Sequence, residues 1–170
     1  MKKIQILTTG GTIEKIYNEQ TGQLVNHKSS LKERFLGQLR YPYHQLEVTN
    51  VMDKDSLDLD DKDRDTIFHA ITTQINSDVD AIVVLHGTDT VDQTVGWCYK
   101  KLESPKIPVI FTGAMRPLEF EHSDGVQNII EAIYACNMAS PGFYLSFHGV
   151  LYKALSFKKN HARKTFESIV

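Results

Sequence analysis

Short β-branched apolar runs alternate along this chain with stretches of helical period, the pattern of a parallel sheet covered by helices. Ile4-Gln5-Ile6-Leu7-Thr8 reads as a first strand that ends at Gly10-Gly11, where consecutive glycines release the chain into a turn. Residues 17–27 are polar, contain Thr21-Gly22 and lack a helical period, so a hairpin or mobile loop is expected there. Ser30-Leu31-Lys32-Glu33 has capping-box spacing, and Leu31, Phe35 and Leu39 repeat every four residues, which predicts a helix. Residues 46–51 form a second strand. Asp60 or Asp61 can cap the following helix, whose Ile67, Phe68, Ile71 and Ile75 make one apolar stripe.

Ala81-Ile82-Val83-Val84-Leu85 is apolar throughout, as a strand covered on both faces should be. Thr90-Val91-Asp92-Gln93 then reads as a helix start, with Val91, Val95, Cys98 and Leu102 on one face. The unit repeats as a strand over residues 108–112, a loop over 113–123, and a helix capped by Asp124 that turns Val126, Ile129, Ile130 and Ile133 inward. Residues 143–147 are a further strand. From Val150 the pattern weakens, and residues 157–166 read as a loop plus a short helix. The expected architecture is α/β: an open, parallel-rich sheet with helices on both faces, Rossmann-like and three-layered, as a single domain over residues 1–170.

Composition narrows the function. The chain has 170 residues, 41% of them hydrophobic, with 19 basic against 21 acidic side chains, enough for one domain that folds without disulfides or a structural metal. A pI near 6.4 does not support a basic surface for nucleic acid. The first residues lack the apolar length of a signal peptide or membrane span, so a cytoplasmic protein with no membrane partner is expected. Cys98 and Cys136 are too far apart for a CxxC pair and read as reduced core residues. The histidines form no HExxH pair, and the acidic stretch from Asp53 fails the EF-hand pattern, with Leu57 and Asp58 at its fifth and sixth positions. Neither metal nor cofactor is expected.

In an open parallel sheet the ligand sits beyond the carboxyl ends of the strands. Three turns fall there: Thr8-Thr9-Gly10-Gly11-Thr12, His86-Gly87-Thr88-Asp89-Thr90 and Thr112-Gly113-Ala114-Met115-Arg116-Pro117. The first fits neither GxGxxG nor GxxxxGK[ST], which weakens a regulatory nucleotide-binding role as a reading. It can instead offer Thr12 as a nucleophile beside glycine amides that would stabilise an oxyanion, provided that a base such as Tyr17 reaches it. The second sets Thr88 next to Asp89, and a lysine brought to Thr88, Lys158 or Lys159, would take a proton while Asp89 holds its charge. The bland alternatives are a turn or cap threonine in each case and a solvated lysine pair. Neither Ser123 nor Ser146 lies in a GxSxG elbow. His86 is expected to order its turn by hydrogen bonding.

Taken together, Thr9-Gly10-Gly11-Thr12-Ile13, His86-Gly87-Thr88-Asp89-Thr90 and Gly113-Ala114-Met115-Arg116-Pro117 resemble the bacterial-type L-asparaginase and glutaminase-asparaginase family, in order and separation. The chain looks most like its short single-domain members, which carry a TI-acid-K-x-Y pattern like Thr12-Ile13-Glu14-Lys15-Ile16-Tyr17. The resemblance implies hydrolysis of L-asparagine, with L-glutamine the other candidate, through a threonyl acyl-enzyme in a homo-oligomer. Thr12 would be the nucleophile, Tyr17 its activating partner on a lid, and Thr88, Asp89 and a lysine the second catalytic group. Spacing within the family's lysine-bearing segment selects Lys158 over Lys159. Asp89 would also hold the substrate ammonium, the Ala114 carbonyl would accept from the leaving nitrogen, and amides near Gly11 and Thr88 would bind the oxyanion.

Two departures follow from the same comparison. Where longer members have a Ser-Gln-Asp stretch gripping the substrate carboxylate, this chain has Asp53-Lys54-Asp55, which would repel a carboxylate unless it binds through its backbone or Lys54 offsets the charge. The resemblance covers only the amino-terminal domain of longer members, so the expectation is a chain without their second domain, with a more open site and a higher KM. A rival reading is a sensor of the same fold that binds the amino acid without hydrolysing it.

Overall fold

The computed structural model describes residues 1–26 and 35–169. Its centre is a six-stranded sheet in the order β4-β1-β5-β6-β7-β8, made of β1 (Lys2–Gly10), β4 (His44–Lys54), β5 (Ala81–Leu85), β6 (Pro108–Thr112), β7 (Gly142–Phe147) and β8 (Val150–Lys153). All neighbours pair in parallel except β7 and β8. The turns leaving β1, β5 and β6 therefore emerge at one edge.

Side-chain alternation divides the core in two. Val83 and Leu85 join Ile4, Ile6 and Ile110 beneath α3 (Gly125–Met138), which contributes Ile129, Ala132 and Ile133. Ile82 and Val84 join Leu7, Val109 and Phe111 on the opposite face. There α1 (Asp61–Ile75) brings Ile67 and Ile71, and α2 (Val91–Lys101) brings Val91, Val95 and Cys98. Helices thus cover both faces of a parallel-rich sheet, as the block pattern predicts. Cys98 and Cys136 are free and buried. Asp60 caps α1 through a reciprocal capping box with Asp63.

Residues 15–26 form a hairpin of β2 (Lys15–Asn18) and β3 (Gln23–Asn26), with Thr21-Gly22 at its turn. The expected helix over residues 30–39 lies largely outside the described residues; its described end is a 3-10 turn, Leu36–Gln38.

Several local expectations are corrected. Residues 157–166 contain no helix: β9 (Phe157–Asn160) and β10 (Thr165–Ser168) pair antiparallel. The ladder survives in so short a segment because Phe157 and Phe166 dock on Phe147 and Tyr152, an aromatic cluster invisible to local periodicity. Val126 and Ile130 are exposed; the inward stripe of α3 is Ile129, Ala132, Ile133 and Cys136. Thr90 and Asp124 precede their helices without capping them through their side chains, because each is drawn into a longer-range bond. Thr90 donates to the Ser56 carbonyl at 2.7 Å, and Asp124 accepts from the Met115 and Arg116 amides.

The β1 and β5 turns pack backbone against backbone. Gly11, at φ 80°, sits so close to Gly87 that a Cβ on it would lie 2.5 Å from the Gly87 nitrogen. Gly11→Ala is accordingly expected to lose about 2 kcal/mol or more, from a left-handed backbone and a clash with main chain that cannot move aside. Urea denaturation would show this as a lower midpoint, and an unchanged midpoint would contradict the close approach.

Candidate active site

The β1 and β5 turns touch through Gly11 and Gly87, and the hydroxyl residues Thr12 and Thr88 follow them directly in the chain. The β6 turn joins from the other side. A Cβ on Gly113 would strike the His86 carbonyl and lie 3.4 Å from the Thr88 Cγ2. Ala114, next in the chain, is buried. A fourth segment closes the ring, because Gly11 N donates to the Lys54 carbonyl at 2.9 Å and the Ser56 side chain fills the space beside Gly87.

Thr88 is buried and Thr12, opening the 3-10 turn Thr12–Glu14, is half-buried. The Lys159 ammonium donates to Thr88 Oγ1 and to Asp89 Oδ1, both at 2.7 Å, and its side chain is only 15% exposed. Charge-assisted bonds of this length are strong, and removing one partner would strand a desolvated charge. The selection of Lys158 is corrected here. Its Nζ lies 3.3 Å from Glu167 Oε1 and its side chain is 61% exposed. Consecutive residues of β9 point to opposite faces, so only one of the two lysines can reach Thr88. Family spacing could not resolve a one-residue difference that a strand converts into opposite directions.

Tyr17 is not brought to Thr12. It is 54% exposed on the hairpin, its hydroxyl lies near Gly22, and among the described residues no hydrogen bond joins it to Thr12. The root of the hairpin is held at the β6 loop, where Leu118 N donates to the Ile13 carbonyl at 3.1 Å.

The acidic stretch divides its charges. Asp53 accepts from Asn50 at 2.8 Å, and Lys54 turns away to Asp63 at the start of α1. Lys54 thus does not offset Asp55, as the sequence had allowed. Lys15 does, with Nζ 2.6 Å from Asp55 Oδ2. That bond, with the Leu57 amide, outweighs burial and holds the Asp55 carboxyl below its usual range.

His86 orders its turn as expected: Nδ1 meets the Gly87 carbonyl at 2.8 Å and Nε2 meets Thr94 Oγ1 at 2.9 Å. A carbonyl can only accept, so Nδ1 carries the proton and Nε2 receives the Thr94 hydroxyl. Burial pushes the Cys98 and Cys136 thiols up to about 12, which leaves neither as a nucleophile. Among the described residues no cluster of three or more histidine, cysteine or carboxylate side chains could hold a metal ion, and no helix is long and apolar enough to cross a membrane.

A family model for the asparaginase N-terminal domain matches residues 3–169. The chain belongs to that family. It is 29% identical over 173 residues to an L-asparaginase of Thermococcus kodakarensis, covering 98% of this chain and 51% of the relative. It is 33% identical over 168 residues to L-asparaginase 1 of Escherichia coli (strain K12), covering 95% and 48%. A component of the glutamyl-tRNA(Gln) amidotransferase of Methanococcus vannielii is 27% identical over 183 residues, covering 99% and 42%. The solved structure of the thermostable L-asparaginase from Thermococcus kodakarensis superposes with a TM-score of 0.89 at 28% identity, over 98% of this chain and 51% of that one. The chain spans about half the length of the curated relatives that it matches.

Lys15, Ser56, Asp124 and His148 are structural partners of the site that sequence reasoning missed in that role. Only Lys15 had a local signal, its place in the Thr12–Tyr17 pattern.

Burial holds the His86 imidazole at about 4 against an ordinary 6.5; the Gly87 bond opposes this shift and the Arg64 charge adds to it. Between these values the unfolded chain takes up a proton that the folded one refuses, so stability falls as pH drops through the interval, by on the order of 3 kcal/mol. His86→Gln should flatten the urea-midpoint profile between pH 6.5 and 4.5. A slope equal to that of the wild type would remove His86 as its source.

Proposed function

We propose that this domain hydrolyses the side-chain amide of L-asparagine, releasing L-aspartate and ammonia. The family makes amide hydrolysis the general expectation, and the observation that carries the reading is the Lys159 ammonium bonded to both Thr88 Oγ1 and Asp89 Oδ1. In the acylation step the Thr12 hydroxyl oxygen attacks the amide carbon. The bond from carbon to nitrogen breaks, and the hydroxyl proton leaves with the nitrogen as ammonia. Water then attacks the acyl carbon, the ester bond to Thr12 breaks, and the threonine hydroxyl is restored. In the second step the Thr88 oxygen takes a proton from the attacking water as its own hydroxyl proton passes to the Lys159 amine; that proton returns through Thr88 to the Thr12 oxygen as the ester bond breaks, and Asp89 faces the intervening ammonium. With the Gly11 N–H spent on the Lys54 carbonyl, the peptide N–H groups of Thr12 and Thr88 stabilise the oxyanion, and the Ala114 carbonyl accepts from the amide nitrogen.

Tyr17 reaches Thr12 in this reading when the hairpin folds over bound substrate, a movement about the Ile13–Leu118 hinge bond. Gly11, Asp53, Lys54 and Asp55 border the pocket. The substrate carboxylate meets an acidic segment whose nearest charge is already paired with Lys15, so Asp55 presents a neutralised pair and not a bare anion. The glutamyl-tRNA(Gln) amidotransferase relatives favour glutamine as a second amide donor, and an assay must include it.

Ammonia release from asparagine and glutamine, measured side by side, tests the reading; amino-acid binding without ammonia would favour a sensor. Thr12→Ala is expected to abolish turnover with the fold intact. Lys159→Met should lower kcat by about 10² or more, the scale of a positioned proton transfer, whereas Lys158→Met serves as the neighbouring-lysine control. Equal losses at the two lysines would refute the assignment. Lys15→Met, which uncovers the Asp55 charge, should raise KM about tenfold, equivalent to about 1.4 kcal/mol. The double variant Lys15→Met with Asp55→Ser should reverse that rise, and its failure to do so would remove charge pairing as the cause.

A further inference from the structure

His148 lies outside the residues assigned to the reaction, yet its ring joins two parts of the site. Nε2 meets Asp124 Oδ2 at 2.9 Å and Nδ1 meets Thr165 Oγ1 at 2.9 Å. On the first side, Asp124 accepts from the Met115 amide at 2.9 and 3.0 Å and from the Arg116 amide at 3.0 Å, which fixes the β6 turn immediately after Ala114. Asn128 ties the same turn in, donating to the Gly113 carbonyl at 2.9 Å while its own oxygen accepts from His148 N at 3.0 Å. On the second side, Thr165 faces Asn160 across the β9–β10 ladder, one residue from Lys159.

That hairpin is anchored unequally. Phe157 and, facing Lys159 across the ladder, Phe166 are held in the core by their mutual ring contact, by the Phe147 ring and by the Tyr152 hydroxyl, which donates to the Phe166 carbonyl at 2.9 Å. The Asn160–Thr165 pair, one step beyond Lys159 toward the turn, meets the body of the domain through the imidazole. His148 is itself held at φ 47°, a backbone region that a non-glycine residue rarely adopts, and the Gly149 amide that follows is fixed to Glu131 at 2.7 Å. A ring so constrained sets a distance.

We propose that His148 is a positioning residue that spaces the β6 turn from the Lys159 hairpin, through Asp124 on one side and Thr165 on the other. The proposal rests on the reading of Lys159 as the amine of the site. Without the ring, the hairpin end is free to pivot on its aromatic anchor, and Lys159 leaves Thr88 and Asp89 for part of the time.

Lysine acetylation by acetic anhydride, followed by peptide mass spectrometry on the full chain, reads this independently of turnover. Lys159 should react slowly in the wild type. In His148→Ala its rate should rise about fivefold relative to Lys62 and Lys106, the factor for one net hydrogen bond. Thr165→Val, which cuts only the hairpin side, should reproduce the rise, and His148→Gln should recover part of the protection. In the ammonia assay His148→Ala should lower kcat with KM nearly unchanged. An unchanged Lys159 rate in both His148→Ala and Thr165→Val would overturn the proposal. So would a uniform rise at all lysines, which would mean that the ring holds the whole fold. A wild type that releases no ammonia would defeat the proposed reaction, yet the labelling would still decide the role of His148.

Discussion

The contact of the Gly11 and Gly87 backbones is the constraint on which the rest of the crevice depends. Parallel strands bring the β1 and β5 turns to the same edge, but strand spacing alone leaves room for side chains between them. Where Gly11 carries no Cβ, the turns close until its backbone meets that of Gly87, which brings the residues that follow, Thr12 and Thr88, to one junction. Lys54 and Ser56 add their backbone and side chain to the same junction, so β4 is drawn in as a third wall. A Cβ on Gly11 would strike the Gly87 backbone and force the two turns apart, whereas one on Gly87 would strike Ser56 and displace the segment after β4.

Charge in the crevice is paired, and the pairing decides what each group can do. Lys159 is taken up by Asp89 and Thr88, Lys15 by Asp55, and Lys54 by Asp63. The first holds the least exposed of the three lysines and concentrates one ammonium between an acid and an alcohol. The second reaches from the hairpin root to the segment after β4, so the flap and the acidic wall share one bond. The third faces away and helps to begin α1. A count of the acids and lysines suggests a repulsive pocket, whereas their distribution leaves a local balance in which a zwitterionic amino acid would meet both signs.

The element carrying Lys159 is held to the main sheet by side chains and not by a strand ladder. Phe147, Phe157 and Phe166 form a small aromatic stack beside β7, and the β9–β10 hairpin rests on it. Beside the bonds of Lys159 itself to Thr88 and Asp89, the Asp124–His148–Thr165 series of hydrogen bonds joins this hairpin to the β6 turn. In this arrangement the β6 turn and the lysine hairpin are registered to each other directly.

The sheet, its helices on both faces and the glycine-hydroxyl turns were legible in the sequence because they rest on local period and turn chemistry. Ala81–Leu85 is apolar at every position since both its faces are covered, and Gly10-Gly11 ends β1 because the chain must turn there at positive φ. The TI-acid-K-x-Y pattern and its two companion turns also pointed to the family without the fold. What stayed hidden were choices made across long separations. Whether Lys158 or Lys159 faces Thr88 depends on the register of β9 against β10. Whether Asp124 caps a helix or clamps the β6 turn depends on where Met115 and His148 come to lie. Those partners are brought together only by the folded sheet and its aromatic anchor, so sequence determined the candidates and tertiary packing decided which of them meet.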